Sequence, residues 1–153
     1  MNKSFRGLVA DGDIQRIRLS TNNGLIGYRI VKLEAIPQNP FTANSENAVT
    51  VFSTQTDATG AVRTPSIVLD FSDPTLLAAA IVDNSDSYNY STDPLVIFDN
   101  VKFNQDIFIC NASSTGSESI NYHLELEQVK LSNDEATMAT LKDMRAGPSS
   151  IAP

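Results

Sequence analysis

From residue 120 to residue 127 the side chains alternate without a fault. Ile120, Tyr122, Leu124 and Leu126 fall on one face, and Asn121, His123, Glu125 and Glu127 on the other. A period of two marks a strand with one dry and one wet face, whereas apolar positions in a helix recur every three or four residues. Shorter stretches of the same kind recur along the chain, separated by clusters of Asn, Asp, Ser, Gly and Pro. Asp13–Ser20 places Ile17 and Leu19 opposite Arg16 and Arg18. Thr21-Asn22-Asn23-Gly24 follows, and Asn-Gly tolerates the positive φ of a tight turn. A hairpin to Ile26–Ile36 is predicted, with Val31, Leu33 and Ala35 on one side and Lys32 and Glu34 on the other.

Further strands are expected at Ala48–Ser53, Ser66–Phe71, Leu95–Phe98, Val101–Phe103 and Asp106–Asn111. Leu76–Val82 is ambiguous: its alanines suit helical turns and its Ile81-Val82 end a strand. Residues 37–47, 54–64, 84–94 and 112–119 read as loops or turns. Beyond Gln128 the apolar phase moves to Val129 and Leu131, as at a β-bulge or strand bend.

One helix is expected, near the end. Ser132-Asn133-Asp134-Glu135 has capping-box spacing, with Ser132 as N-cap and Glu135 three residues on. Ala136–Arg145 continues the helix, Met138, Leu141 and Met144 form a narrow apolar stripe, and Gly147-Pro148 ends it. About eight or nine short strands spaced by turn signals, plus one terminal helix, make an all-β antiparallel sandwich, with a jelly roll as its expected topology. The sandwich spans residues 1–131; the helix and tail span 132–153.

Charge narrows the partners. The net charge of −7 disfavours phosphate backbones, so nucleic acid is not an expected partner. Arg6, Arg16, Arg18 and Arg29 nonetheless gather in the first 30 positions, either as a local basic patch or as solvent-facing strand residues. The N-terminal residues lack the apolar core of a signal peptide, and no run approaches the ~18 apolar residues of a membrane span. With Cys110 as the single cysteine, no internal disulfide can form, which suits assembly in a reducing cytoplasm.

The chain offers few reagents for catalysis. Its single histidine, His123, alternates with polar residues on a strand face, which reads as an exposed or interface imidazole. Cys110 ends an apolar strand and reads as a small buried hydrophobe. One His and one Cys cannot build a zinc site. Asp11-Gly12-Asp13 and Asp83-Asn84-Ser85-Asp86 could offer oxygens to calcium, but without EF-hand spacing they read as turns. Glu125 and Glu127 share a face without any mark of perturbation, and the chain has no Trp for a sugar platform. The expectation is a binding protein, not an enzyme, with no cofactor.

Leu95-Val96-Ile97-Phe98-Asp99-Asn100-Val101-Lys102-Phe103-Asn104-Gln105-Asp106-Ile107-Phe108-Ile109, followed by Tyr122-His123-Leu124-Glu125-Leu126-Glu127-Gln128-Val129-Lys130-Leu131, resembles small virion proteins of tailed bacteriophages, especially marine ones. The resemblance covers the last third of the chain. It implies a virion component made in the host cytoplasm: a capsid decoration (cement) protein, or a neck or tail connector that forms a ring. Its partners would be the major capsid protein or other virion subunits, in repeated copies or as a homo-oligomer. A third reading is a carbohydrate-binding jelly roll for host attachment, with Tyr88 and Tyr90 as candidates. Candidate interface residues are Met138, Leu141 and Met144 on the helix, with Arg16 and Arg18. The N-terminal residues and the tail Ser149–Pro153 are further candidates for inter-subunit arms.

Overall fold

The structure, a computed structural model, describes residues 2–19, 25–40, 45–57, 59–84, 94–98, 100–115 and 117–146. The side chains of Asn84, Thr115 and residues 142–146 are outside that description. Among the described residues, eight strands and one helix follow in order: β1 (Asn2–Val9), β2 (Ile14–Ile17), β3 (Ile26–Pro37), β4 (Ser45–Phe52), β5 (Leu76–Asn84), β6 (Leu95–Ile97), β7 (Ile107–Thr115), β8 (Ile120–Lys130) and α1 (Asn133–Ala146). They form two antiparallel sheets, β1-β8-β3 and β2-β7-β4-β5-β6.

Folding the first four strands back on the last four pairs β1 with β8, β2 with β7 and β4 with β5. The remaining pair, β3 with β6, is represented just past β6 by a two-way bridge. The Tyr28 N–H donates to the Phe103 carbonyl (2.7 Å), and the Phe103 N–H donates to that of Tyr28 (3.0 Å). Three of the four pairings of a rolled-up antiparallel ribbon, the jelly roll, are thus present; β6 itself joins β5, and the fourth pairing is reduced to that bridge.

The core lies between the sheets. Ile120, Tyr122, Leu124 and Leu126 of β8 face it, as their alternation predicts, opposite Val49 and Val51 of β4 and Ile107 and Ile109 of β7. The alanines of Leu76–Val82 belong to a strand. Ala78, Ala79 and Ala80 are buried in β5, which is flanked by β4 and β6. Both of its faces are covered there, so the two-sided polarity of an amphipathic strand is missing from the sequence. Two buried polar groups cross-link the strands, Asn111 between the layers and Asp106 at the β2–β7 edge of one of them. Asn111 donates to the carbonyls of Val9 (3.0 Å) and Glu118 (3.1 Å) and accepts from Asn47 (2.8 Å). Asp106 accepts the Leu19 N–H (2.7 Å) and binds Arg16.

Several expectations are corrected. The strand at Ile14–Ile17 pairs with β7, and β3 pairs with β8 in the other sheet, so no hairpin joins them. Asn-Gly can shape a turn but cannot choose a strand's partner; the turn residues 20–24 lie outside the described residues. The N-terminal residues, offered as an arm, are β1, paired with β8 from Asn2 to Val9. The bulge lies in β3 at Val31, not in β8, which stays in register through Lys130. One extra residue between Ile30 and Lys32 moves the buried set from Tyr28 and Ile30 to Leu33, Ala35 and Pro37, and turns Val31 outward.

Ser66–Phe71 is not a strand. The Ser66 hydroxyl accepts the Val68 N–H (3.0 Å), and the Asp70 carboxylate accepts the Ser72 N–H (3.0 Å) and hydroxyl (2.5 Å). Such local bonds offer the backbone an alternative to a ladder. At Val101–Phe103 only the single bridge forms.

Candidate interaction surfaces

The 53–75 segment leaves the sheet between β4 and β5 and is clamped by Arg63. The guanidinium stacks over the Phe52 ring at 3.7 Å. It donates to the Thr54 hydroxyl (3.2 Å), the Thr56 carbonyl (2.9 Å) and the Thr75 hydroxyl (3.1 Å), and it pairs with Asp73 (3.6 Å). Thr56 and Val62 form a small bridge. Asp57 holds the turn between them by accepting from the Thr59 hydroxyl (2.6 Å) and the N–H groups of Thr59 and Ala61. The Thr59 hydroxyl bond is the main cause that keeps its carboxyl below the usual Asp range. A cavity of about 110 Å³, lined by Thr50, Phe52, Arg63, Leu69 and Leu76 among others, separates the segment from the sheet. On this frame Ile67, Val68 and Phe71 are 51%, 77% and 53% exposed. Phe71 touches Phe98 edge-on, centroids 5.3 Å apart.

The capping box of α1 is reciprocal: the Ser132 hydroxyl accepts the Glu135 N–H (3.2 Å), and the Glu135 carboxylate accepts the Ser132 N–H (3.3 Å). Lys102 pairs with Glu135 at 3.0 Å. Asn104 donates to the Ala136 carbonyl (3.4 Å) and the Thr140 hydroxyl (3.1 Å), and Ala136 is buried. At about 100° per residue, Met138 and Leu141 lie on the opposite side from Ala136 and Thr140. They are 58% and 41% exposed. The helix therefore docks by a small, polar face and presents its apolar stripe outward. The Met144 side chain lies outside the described residues.

The outer face of the three-stranded sheet carries cross-strand rows fixed by the register. Arg6, His123 and Glu34 form one row, and Leu8, Asn121 and Ile36 the next. Together they line an open groove of about 480 Å³. Among the described residues Arg6 makes no ion pair or hydrogen bond, and the buried Nδ1 of His123 has no partner. Lys32 engages Glu34 at 3.1 Å along the same strand.

Arg16 and Arg18 part company. Arg16 places Nε and Nη2 at 2.6 and 2.5 Å from Asp106, so it pins β2 to the start of β7. Arg18 is exposed beyond β2. Cys110 is fully covered, and burial pushes its thiol up to about 11. Glu127 is paired with Arg29 (2.5 Å), and Glu125 accepts from Asn2 (2.7 Å). Among the described residues no three His, Cys, Asp or Glu side chains cluster as a metal site, and no helix is long and apolar enough to cross a membrane. Tyr88, Tyr90 and Ser149–Pro153 lie outside the described residues.

The Arg63 clamp and the groove are not visible in the sequence, because each joins residues from separate segments. The turn character of Ser66 to Ser72 was open to reading from its Ser and Asp spacing. No protein-family model matches the chain, and no curated protein matches it.

Proposed function

We propose that this chain is a virion structural protein, a capsid decoration (cement) protein that binds the assembled shell. The observation that carries the reading is the run Ile67, Val68 and Phe71, three large apolar side chains held in solvent on a clamped frame. Exposed apolar clusters of this kind are surfaces that a partner covers. The phage-protein resemblance of Leu95–Ile109 and Tyr122–Leu131 supplies the class of partner: the major capsid protein or another particle subunit, met in the host cytoplasm. A jelly roll suits repeated placement on a symmetric lattice, where many modest contacts add up.

The test is particle composition. Purified virions should contain the chain in a copy number that matches the shell lattice. Val68→Asp with Phe71→Ser should lower occupancy without unfolding the domain, because both side chains are exposed. Particles that lack the chain, or full occupancy by that variant, would refute the reading. A connector that closes a ring is the second reading. It is favoured by the outward apolar face of α1, which lies beyond one end of β8 while the groove lies at the other.

A further inference from the structure

We infer that copies of this chain associate head to tail, the outward face of α1 from one copy seated in the Arg6–His123 groove of the next. The inference rests on the reading that the chain works as an assembled subunit, and it names one contact of that assembly: a second copy.

The two surfaces complement each other in charge and in apolar character. The exposed side of α1 presents Asp134, Met138 and Leu141, which follow one another at helical spacing. Among the described residues Asp134 has no ion-pair or hydrogen-bond partner. The groove presents Arg6, which has no ion-pair or hydrogen-bond partner among the described residues, with Leu8 and Ile36 as apolar walls; the groove's one carboxylate, Glu34, is already paired with Lys32. Seating the helix would give Asp134 a guanidinium and would bury four apolar side chains that now face water. The Asn121 amide sits between the apolar walls, able to bond the rim of an incoming helix, and in the next row His123 sits between Arg6 and Glu34.

The contact cannot form within one copy. The groove lies at residues 121–123 of β8, and α1 starts three residues after its other end, roughly 30 Å away at strand rise. Lys102 and Asn104 hold α1 there. Two different patches meeting in this way make a heterologous interface, which builds rings or arrays instead of a two-fold dimer. One helix face in one groove is smaller than a stable standard interface, so single contacts are weak and become effective through repetition.

Sedimentation equilibrium on the full chain tests this, at loadings from about 10 µM to about 1 mM, where so small an interface should be partly occupied. The weight-average mass of the wild type should climb with concentration beyond a dimer. Arg6→Glu and Asp134→Arg should each hold it near the monomer, and the double reversal should restore the climb. Met138→Ser should reduce it independently of charge. A second measurement avoids dependence on helix stability: Leu8→Cys and Leu141→Cys variants should form a disulfide-linked pair when mixed under oxidant, and neither should do so alone. A constant monomer mass, association indifferent to both reversals, or equal pairing of each Cys variant with itself would overturn the inference. Particle occupancy retained by a strictly monomeric chain would overturn it while leaving the decoration reading in place.

Discussion

Deleting Val31 should leave the fold nearly intact, although it removes a residue from the middle of a twelve-residue strand. Loss of one residue from a half-buried strand ordinarily moves a whole set of side chains to the wrong face. At this position the deletion should instead erase the bulge. Ile30 already faces Leu126, and Lys32 already faces Glu125. Without Val31 the pairing becomes regular, with Tyr28, Ile30, Leu33 and Ala35 still inward. The cost is the cover that Val31 now has. At 36% exposure it is about two-thirds buried, and full burial of a valine is worth about 1.5 kcal/mol, so about 1 kcal/mol is lost.

Deleting His123 from β8 is the contrasting case. That strand pairs on both sides, with no extra residue of its own to absorb the change. Ile120 and Tyr122 would turn out, for about 3–6 kcal/mol, and Asn121 would turn into the core for about 1–3 more. A sum near the whole stability of a typical domain should leave that variant unfolded. Urea unfolding distinguishes the two. The Val31 deletion should lower the midpoint by about 0.5 M at a slope near 2 kcal/mol per molar, with the slope unchanged. If the two deletions destabilise equally, the bulge is not what sets the parity of β3, and the reasoning fails.

Ser132→Ala should cost about 1 kcal/mol in the helix alone, seen as faster amide exchange through α1 while exchange in β8 is unchanged. Acid should loosen the same element. The hydrogen bond from Lys102, and then that from the Ser132 N–H, hold the Glu135 carboxyl below its ordinary value of 4.5. A carboxyl depressed in the folded state stabilises above its unfolded value, and that stability is lost as pH falls through the lower folded value. The NMR signals of α1 should therefore weaken below about pH 4.5 before those of the sandwich, and a helix unchanged down to pH 2 would contradict this. The Cys110 thiol, raised to about 11 from 9.0, should resist alkylation at pH 8 until the protein unfolds. The sign is opposite here: the unfolded thiol ionises first, so stability is full below pH 9 and falls between pH 9 and 11. Arg63→Met should cost about 2–3 kcal/mol locally and open the 53–75 segment to proteolysis, since it strips bonds from Thr54, Thr56 and Thr75.

Much of this protein could be read from local patterns. The alternation of Ile120–Glu127 determined a strand and its buried face, and the spacing of Ser132 and Glu135 determined where the helix starts. Both depend on neighbours close in sequence, which is why no knowledge of the fold was needed. The strand-rich antiparallel class followed from repetition of the first pattern. Partner choice did not. Asn22-Asn23-Gly24 suggested a hairpin, yet Ile14–Ile17 joined Ile107–Cys110, some ninety residues away, where Arg16 and Leu19 meet the buried Asp106. The inward turn of Leu33 depended on one unpaired residue, Val31, between the Ile30–Leu126 and Lys32–Glu125 pairs. The candidate surfaces were decided at the same level. Met138 and Leu141 formed a visible stripe, but only the docking of Ala136 and Thr140 on Asn104 turned it outward. The groove exists because strand register sets Arg6, His123 and Glu34 side by side from three distant segments. Sequence periodicity specifies which side chains share a face; burial and register, which couple the whole chain at once, decide what that face meets.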